Sequence, residues 1–360
     1  MKKSISELDP NFKLPVVEDG LAWHNLSTPE VEGLAWPEES DAFCRLPNRA
    51  QELVREPVWD LSRNSAGVLA RFFTNATQVS ARWTLRNEAL GMDHMAATGV
   101  SGLDLYVRHD NCWRWVGIGR PTQFPENEVV LLQEINHHGS EPIEREYLLY
   151  LPLYNGVSEV KVGIDEGASL RFEPREEKSI CVYGTSIVQG GCASRPGMAY
   201  PAILGRKLNC PVINLGFSGN GRAEPEVATL FAEIEPSVFL IDCLPNLELP
   251  LTLQRMEPLV QMLRNARPGT PIVLVENITY VVEWIRTSNV NSSAPKNEAL
   301  RDIYQRLLAS GMQNLYYVDG AKLLGDDGEG TVDGVHPTDV GFMRMADVIE
   351  PILKQVLSYE

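Results

Sequence analysis

The rhythm of apolar residues changes once along this chain, near residue 178, and that change restricts the fold to two architectures in tandem. Before it, VLARFFT, QVSARWTL, GLDLYVR, CWRWVGIG, EVVLLQEI, EYLLYLPLY and VSEVKVGI are short runs rich in β-branched and aromatic residues, separated by Gly, Asn, Asp and Pro. Short strands at such spacing predict an all-β sandwich. After it, strand-like runs alternate with amphipathic helical runs: SICVYG with AYPAILGRKL, PVINLG with EPEVATLFAEI, SVFLIDCL with LTLQRMEPLVQMLRNA, PIVLVEN with NEALRDIYQRLLA, and LYYVDG with a closing helix from about Thr338 to Leu357. Five strand–helix units predict a five-stranded parallel sheet covered on both faces. The charged junction FEPREEKS (Phe172 to Ser179) places the division between a domain at 1–176 and a domain at 177–360. A length of 360 residues is ample for two such cores.

Charge and cysteine usage exclude several function classes. A net formal charge of −16 repels phosphate backbones and anionic lipids, and no Lys/Arg run offsets it, so neither nucleic-acid binding nor membrane insertion is expected. Six cysteines (Cys44, Cys112, Cys181, Cys192, Cys210, Cys243) are too sparse for a disulfide scaffold, lack CxxC spacing, and read as buried thiols. Adjacent His137 and His138 would point to opposite faces of a strand, which is poor for chelation, and no metal or cofactor is called for. The opening MKKSISELDPNFKLPVVEDG has lysines without an apolar stretch behind them, so a cytoplasmic location is expected unless a leader has been trimmed. Oligomeric state stays open.

In a parallel α/β sheet, ligands gather beyond the carboxyl ends of the strands, which here are GTSIVQGG, GFSGNGR, DCLPN and, late in the chain, DGVHP. Ser186 ends the first strand at a Gly-rich turn, where a hydroxyl can be exposed beside helix N-terminal amides; an ordinary turn cap is the other reading of that position. A serine nucleophile needs a base. His24, His94, His109, His137 and His138 all lie in the β-rich half, so a base supplied by the α/β half itself must be His336. Asp333, three residues earlier, can reach that imidazole through a turn at Gly334, or can simply cap the helix after Pro337. Gly219 and Asn246 offer a backbone amide and a side-chain amide for an oxyanion, together with the amide of Ser186; both are also ordinary loop residues. Ser218 gains nothing over Ser186 as nucleophile, because no histidine serves it better.

Taken together, these blocks resemble the SGNH hydrolases, or GDSL-like esterases, in which Ser, Gly, Asn and His come in this order from four separate segments. GTS replaces the usual GDS, Ser218-Gly219 matches the second block, DCLPN matches the third loosely with Pro245 and Leu247 around Asn246, and DGVH matches the fourth as DxxH. GLDLY (Gly102 to Tyr106) resembles the GxDLY pattern of β-sandwich domains that precede certain SGNH esterases, and SIVQGGCASRPGMAY looks like the same subgroup. The resemblance implies a flavodoxin-like α/β/α domain behind a jelly-roll-like sandwich. It also implies ester hydrolysis, with a carbohydrate acetyl ester as the expected substrate, through an acyl-enzyme on Ser186 with His336 and Asp333. Small-molecule or glycan esters are the implied partners. The α/β-hydrolase elbow GxSxG, GxGxxG, Walker A and HExxH are missing.

Arg195, in the loop after the first parallel strand, is expected either to touch a polar or anionic substrate group or to be a solvated loop or domain-interface arginine. Trp284 and the polar loop Thr287–Pro295 are expected to wall the pocket. Two rival functions remain: an acyltransferase with the same site, and a non-catalytic glycan-binding protein.

Overall fold

The computed structural model describes residues 16–136, 142–286 and 292–357. His137, His138, most of the opening segment and part of the Thr287–Pro295 loop lie outside the described residues. Strands β1 (Val16–Glu18), β2 (Leu21–Asn25), β3 (Val31–Glu32), β4 (Leu69–Thr74), β5 (Val79–Leu85), β6 (Leu103–His109), β7 (Cys112–Gly119), β8 (Glu126–Leu132), β9 (Arg145–Tyr150), β10 (Val157–Asp165) and β11 (Leu170–Phe172) make two antiparallel sheets. Their orders are β1-β2-β10-β5-β8 and β11-β4-β9-β6-β7, with β3 paired to β4. Alternate residues face inward: Val79, Ala81, Trp83 and Leu85 of β5 and Val160, Val162 and Ile164 of β10 meet Phe72, Leu105 and Leu149 from the other sheet. The expected sandwich is present.

The centre of the second sheet is buried on both faces. Leu69, Tyr106, Leu148 and Tyr150 point out of the sandwich and cluster with Ala202 of the α/β half. This explains why β9 reads as a continuous apolar run instead of alternating.

Strands β12 (Ile180–Gly184), β13 (Val212–Gly216), β14 (Val238–Asp242), β15 (Ile272–Val275) and β16 (Leu315–Val318) pair in parallel in the order β13-β12-β14-β15-β16, the doubly wound arrangement expected from the strand–helix alternation. Cys181 and Tyr183 face one layer and Ile180 and Val182 the other, so each face has its own core. The helices, in chain order, are α1 (Glu56–Ser62), α2 (Ala97–Val100), α3 (Ser186–Gln189), α4 (Tyr200–Leu208), α5 (Pro225–Glu233), α6 (Leu249–Ala266), α7 (Ser293–Ala309) and α8 (Asp339–Leu357). Of these, α5, α6 and α7 cover the first face, and α4 and α8 cover the second. No helix among the described residues is long and apolar enough to cross a membrane.

Packing does not follow the sequence junction. Trp36, Leu46, Ala50, Val54, Val58 and Trp59 precede most of the sandwich strands, yet they sit in the core of the parallel sheet with Tyr183, Phe217 and Phe231. Arg45, fully buried among them, donates from Nε to the Asn64 carbonyl at 2.8 Å and from Nη1 to the carbonyls of Asn214 at 3.0 Å and Gly216 at 2.7 Å. Its Nη2 donates to the Leu61 carbonyl at 2.6 Å. All six cysteines are free; Cys44, Cys181, Cys192 and Cys243 are buried as expected, whereas Cys112 is exposed and Cys210 partly so.

Candidate active site

The β13-β12-β14 order makes the end of β12 the switch point of the sheet, and Ser186 opens α3 there. Thr185 caps the helix by accepting from the Ile187 amide at 3.2 Å. Both Ser186 and Thr185 are buried. Two glycines allow the turn to be this tight. A Cβ on Gly184 would stand 2.2 Å from the Asp242 carbonyl oxygen, and one on Gly221 would stand 2.1 Å from the Gly184 carbonyl oxygen.

His336 reaches this point from 150 residues away, and the Ser186 hydroxyl lies 2.9 Å from its Nε2. Its Nδ1 lies 2.7 Å from Asp333 Oδ2. Asp333 Oδ1 accepts from the backbone amides of Val335 at 3.0 Å and His336 at 2.8 Å, in a turn made possible by Gly334 at φ +90°. A carboxylate at Nδ1 selects the tautomer with hydrogen there, which leaves the Nε2 lone pair for the serine proton. Burial pushes the Asp333 carboxyl up, and the hydrogen bonds from the His336 amide and ring and the Val335 amide outweigh it, holding the group below the usual carboxylate range.

The loop after β13 comes to the same point. Gly219 adopts φ +69° with open space where a Cβ would stand, and Asn246, at the end of a short turn after β14, accepts through Oδ1 from the Gly221 amide at 3.1 Å. Fixing Oδ1 leaves the amide nitrogen of Asn246 as the donor end. The structure thus brings Ser186, Asp333 and His336 into one hydrogen-bonded line, and Asn246 is tied to the Gly219 loop.

Arg195 is elsewhere. Its Nη1 lies 2.8 Å from Asp104 Oδ2 and 2.5 Å from the Tyr106 hydroxyl, so the Asp and Tyr of GLDLY hold it at the domain interface. Asp104 also accepts from the Gly197 amide at 2.9 Å and from the Trp115 indole at 2.7 Å. Of the readings open for Arg195, the contacts favour the domain interface, because its charge is already matched there by Asp104.

Beside Asn246 and Asp333 opens a cleft of ≈ 350 Å³, lined also by Glu248, Tyr280, Arg286 and Lys296. Trp284 does not line it; that side chain is 83% exposed, and Tyr280, Val282 and Arg286 of the same segment wall the cleft instead. Lys296 is buried over the Tyr280 ring, and burial pushes its ammonium down to about 8.

Three neighbours of the site escape a reading by motif. Gln189 is fully buried, accepts from the Ser218 amide at 3.0 Å and donates to Asn64 Oδ1 and the Leu153 carbonyl, both at 3.1 Å, locking α3 to the Gly219 loop and the sandwich. The Tyr154 hydroxyl donates to the Ser186 carbonyl at 3.3 Å. The His94 ring lies edge-on to His336, centroids 5.7 Å apart. Gln189 lies within the GTSIVQGG segment, but no spacing marks it, Tyr154 or His94 as a neighbour of the site.

The comparisons with known proteins agree with this geometry. Residues 177–354 match the GDSL-like lipase/acylhydrolase family, and residues 21–170 match the GxDLY domain found at the N-terminus of SGNH-hydrolase-type esterases. A Bacteroides ovatus protein assigned to the GDSL-like lipases is similar at 34% identity and TM-score 0.86, over 94% of this chain and 98% of its own. The salicylyl-acyltransferase SsfX3 of a tetracycline biosynthetic pathway shares the fold at 18% identity and TM-score 0.70, over 96% and 98% of the two chains. A family two carbohydrate esterase from Clostridium thermocellum shares it at 16% identity and TM-score 0.57, over 81% and 93%. No curated protein matches. On the profile matches and the full-length likeness to the Bacteroides protein, the chain belongs to the GDSL-like lipase/acylhydrolase family and is a carboxylic ester hydrolase.

Proposed function

We propose that this protein is a serine esterase that removes a small acyl group, an acetyl ester of a carbohydrate in the first instance, through an acyl-enzyme. The observation that carries the reading is the 2.9 Å approach of the Ser186 hydroxyl to His336 Nε2, with Asp333 2.7 Å from the other ring nitrogen. Ser186 Oγ attacks the acyl carbon while His336 takes its proton. Asp333 holds the ring and stabilises the imidazolium. The oxyanion is received by the amides of Ser186 and Gly219 and the side-chain amide of Asn246. Collapse expels the sugar alkoxide, which takes the proton from His336, and water activated by the same imidazole then releases the acid.

The carbohydrate part of the reading is supported by the shared fold of family two carbohydrate esterases and by the polar lining of the cleft beside Asn246. A second reading, transfer of the acyl group to an alcohol acceptor, is favoured by the likeness to SsfX3 over both domains. The deciding experiment compares wild type with Ser186→Ala on an aryl acetate and on acetylated sugars, with and without sugar acceptors. The esterase reading expects free acid as product and a fall of about three or more powers of ten in the variant. Unchanged turnover in Ser186→Ala rejects it, and transferred product in place of acid favours the second reading.

A further inference from the structure

Two groups that the reaction does not use flank the His336 ring. His94 stands on a tight turn closed by reciprocal backbone hydrogen bonds between Met92 and Met95, at 3.0 and 3.1 Å, just before α2. Its imidazole is exposed and meets His336 edge-on. Cys192 follows α3 in a loop built around Gly190 and Gly191, with its thiol buried and its backbone at φ +73°, a conformation that residues other than glycine rarely adopt. Gly191 admits the imidazole there: a Cβ in its place would come within 3.2 Å of His336 Cδ2. One ligand atom from each of His94, Cys192 and His336 lies within 4.8 Å of the other two.

We infer that His94, Cys192 and His336 form an inhibitory site for a thiophilic divalent transition-metal ion, of which zinc is the type, that silences the enzyme by taking His336 Nε2 away from Ser186. Two imidazole nitrogens and one sulfur are the donor set of borderline-soft ions and not of magnesium or calcium. Metal–donor bonds of about 2.0–2.3 Å place neighbouring donors roughly 3.3–3.7 Å apart, so each pair of atoms needs to close by at most about 1.5 Å. Rotation of the exposed His94 side chain can bring its ligand atom toward the other two, and a small shift of the Cys192 loop closes the remaining pair. His336 offers Nε2 because Asp333 holds Nδ1, the same carboxylate–histidine arrangement that orients imidazole ligands at metal centres. A fourth position remains for water.

Binding exchanges one proton for one metal ion: the Cys192 thiol loses its hydrogen to solvent as sulfur bonds the ion. Burial and the nearby Asp333 charge disfavour the free thiolate, and the bond to the ion offsets that cost. A strongly acidic chain also concentrates cations around itself.

The inhibition rests on the esterase reading, whereas the binding does not, and cobalt separates them. Wild type and the Ser186→Ala, His94→Ala and Cys192→Ser variants are titrated with Co²⁺ and Zn²⁺, by absorption and by aryl acetate hydrolysis. Wild type and Ser186→Ala should take up one Co²⁺ with a thiolate-to-cobalt charge-transfer band that Zn²⁺ removes, and Cys192→Ser should lack that band. Zn²⁺ should inhibit wild type and EDTA should restore it. His94→Ala and Cys192→Ser should keep the uninhibited rate and need at least about tenfold more Zn²⁺ for half inhibition. Absence of the cobalt band in wild type, or equal zinc sensitivity in wild type and His94→Ala, overturns the inference. A cobalt band in a wild type without esterase activity overturns the proposed function and leaves the metal site standing. His94 is exposed, so its variant reads the site even if Cys192→Ser fails to fold.

Discussion

His336 hydrogen-bonds through both ring nitrogens, and the chemistry follows from which one is held by the carboxylate. With Asp333 on Nδ1, the lone pair faces Ser186. Asp333→Asn keeps the shape and removes the charge, so kcat on an aryl acetate should fall by about two to four powers of ten with KM little changed. A fall in kcat matched by a rise in KM would assign Asp333 to substrate binding. The folded value of Asp333 is depressed, so its contribution to stability is present at neutral pH and is lost only as pH falls through that lowered value. His336 was legible in the sequence by elimination, since it is the one imidazole after residue 138. Arg195 was not settled there, because a loop arginine fits a ligand or a carboxylate equally well until Asp104 is seen beside it. Nor does any spacing pair His94 with Cys192: they lie on separate loops that only folding brings to one ring.

The end of β14 shows how a strand terminus can carry a hidden proton. Asp242 is fully buried, accepts from the Tyr200 hydroxyl at 2.9 Å, and is pushed up to about 8 by burial against that one hydrogen bond. Its folded value exceeds its unfolded one, so the fold retains this proton. Stability is then fullest below the ordinary carboxylate value of 3.8 and declines as pH rises toward about 8. Asp242→Asn cannot ionise, and its Tm should fall less than that of wild type between about pH 5 and pH 8. Parallel curves would mean that the carboxyl is already charged inside the protein. Nearby, Gly221→Ala drives a Cβ into the Gly184 carbonyl and loosens the amide that holds Asn246. A loss of about 1–3 kcal/mol by denaturant titration, together with a lower kcat, is expected. The strand–helix alternation of this half was legible because each unit repeats a change of period, and the closing helix begins at Asp339, within a residue of its expected start. The order of the sandwich strands was not, since pairing such as β10 with β2 and β5 depends on contacts far apart in sequence.

At the level of the whole molecule, the two halves are joined by polar contacts and by shared apolar cores. Arg45 binds four carbonyls, two of them on β13, and burial pushes its guanidinium down to about 9. Arg45→Met removes those bonds and strands the carbonyls, with an expected loss of about 3–5 kcal/mol by chemical denaturation. An unaltered midpoint would show that the carbonyls find other donors. A fragment of residues 177–360 lacks Trp36, Leu46, Val58 and Trp59, which complete the core around Tyr183 and Phe231. Chemical denaturation should therefore show this fragment without the cooperative transition of the full chain. The segment that does this carries no motif and lies among loop-like residues, so nothing in its local pattern reveals which sheet it covers. Its placement has a consequence during synthesis. Trp36 and Trp59 leave the ribosome before most of the β-sandwich, while the surface that receives them is made after it. The growing polypeptide must therefore hold these indoles uncovered, or lend them to a chaperone, until β13 and α5 have emerged to close over them.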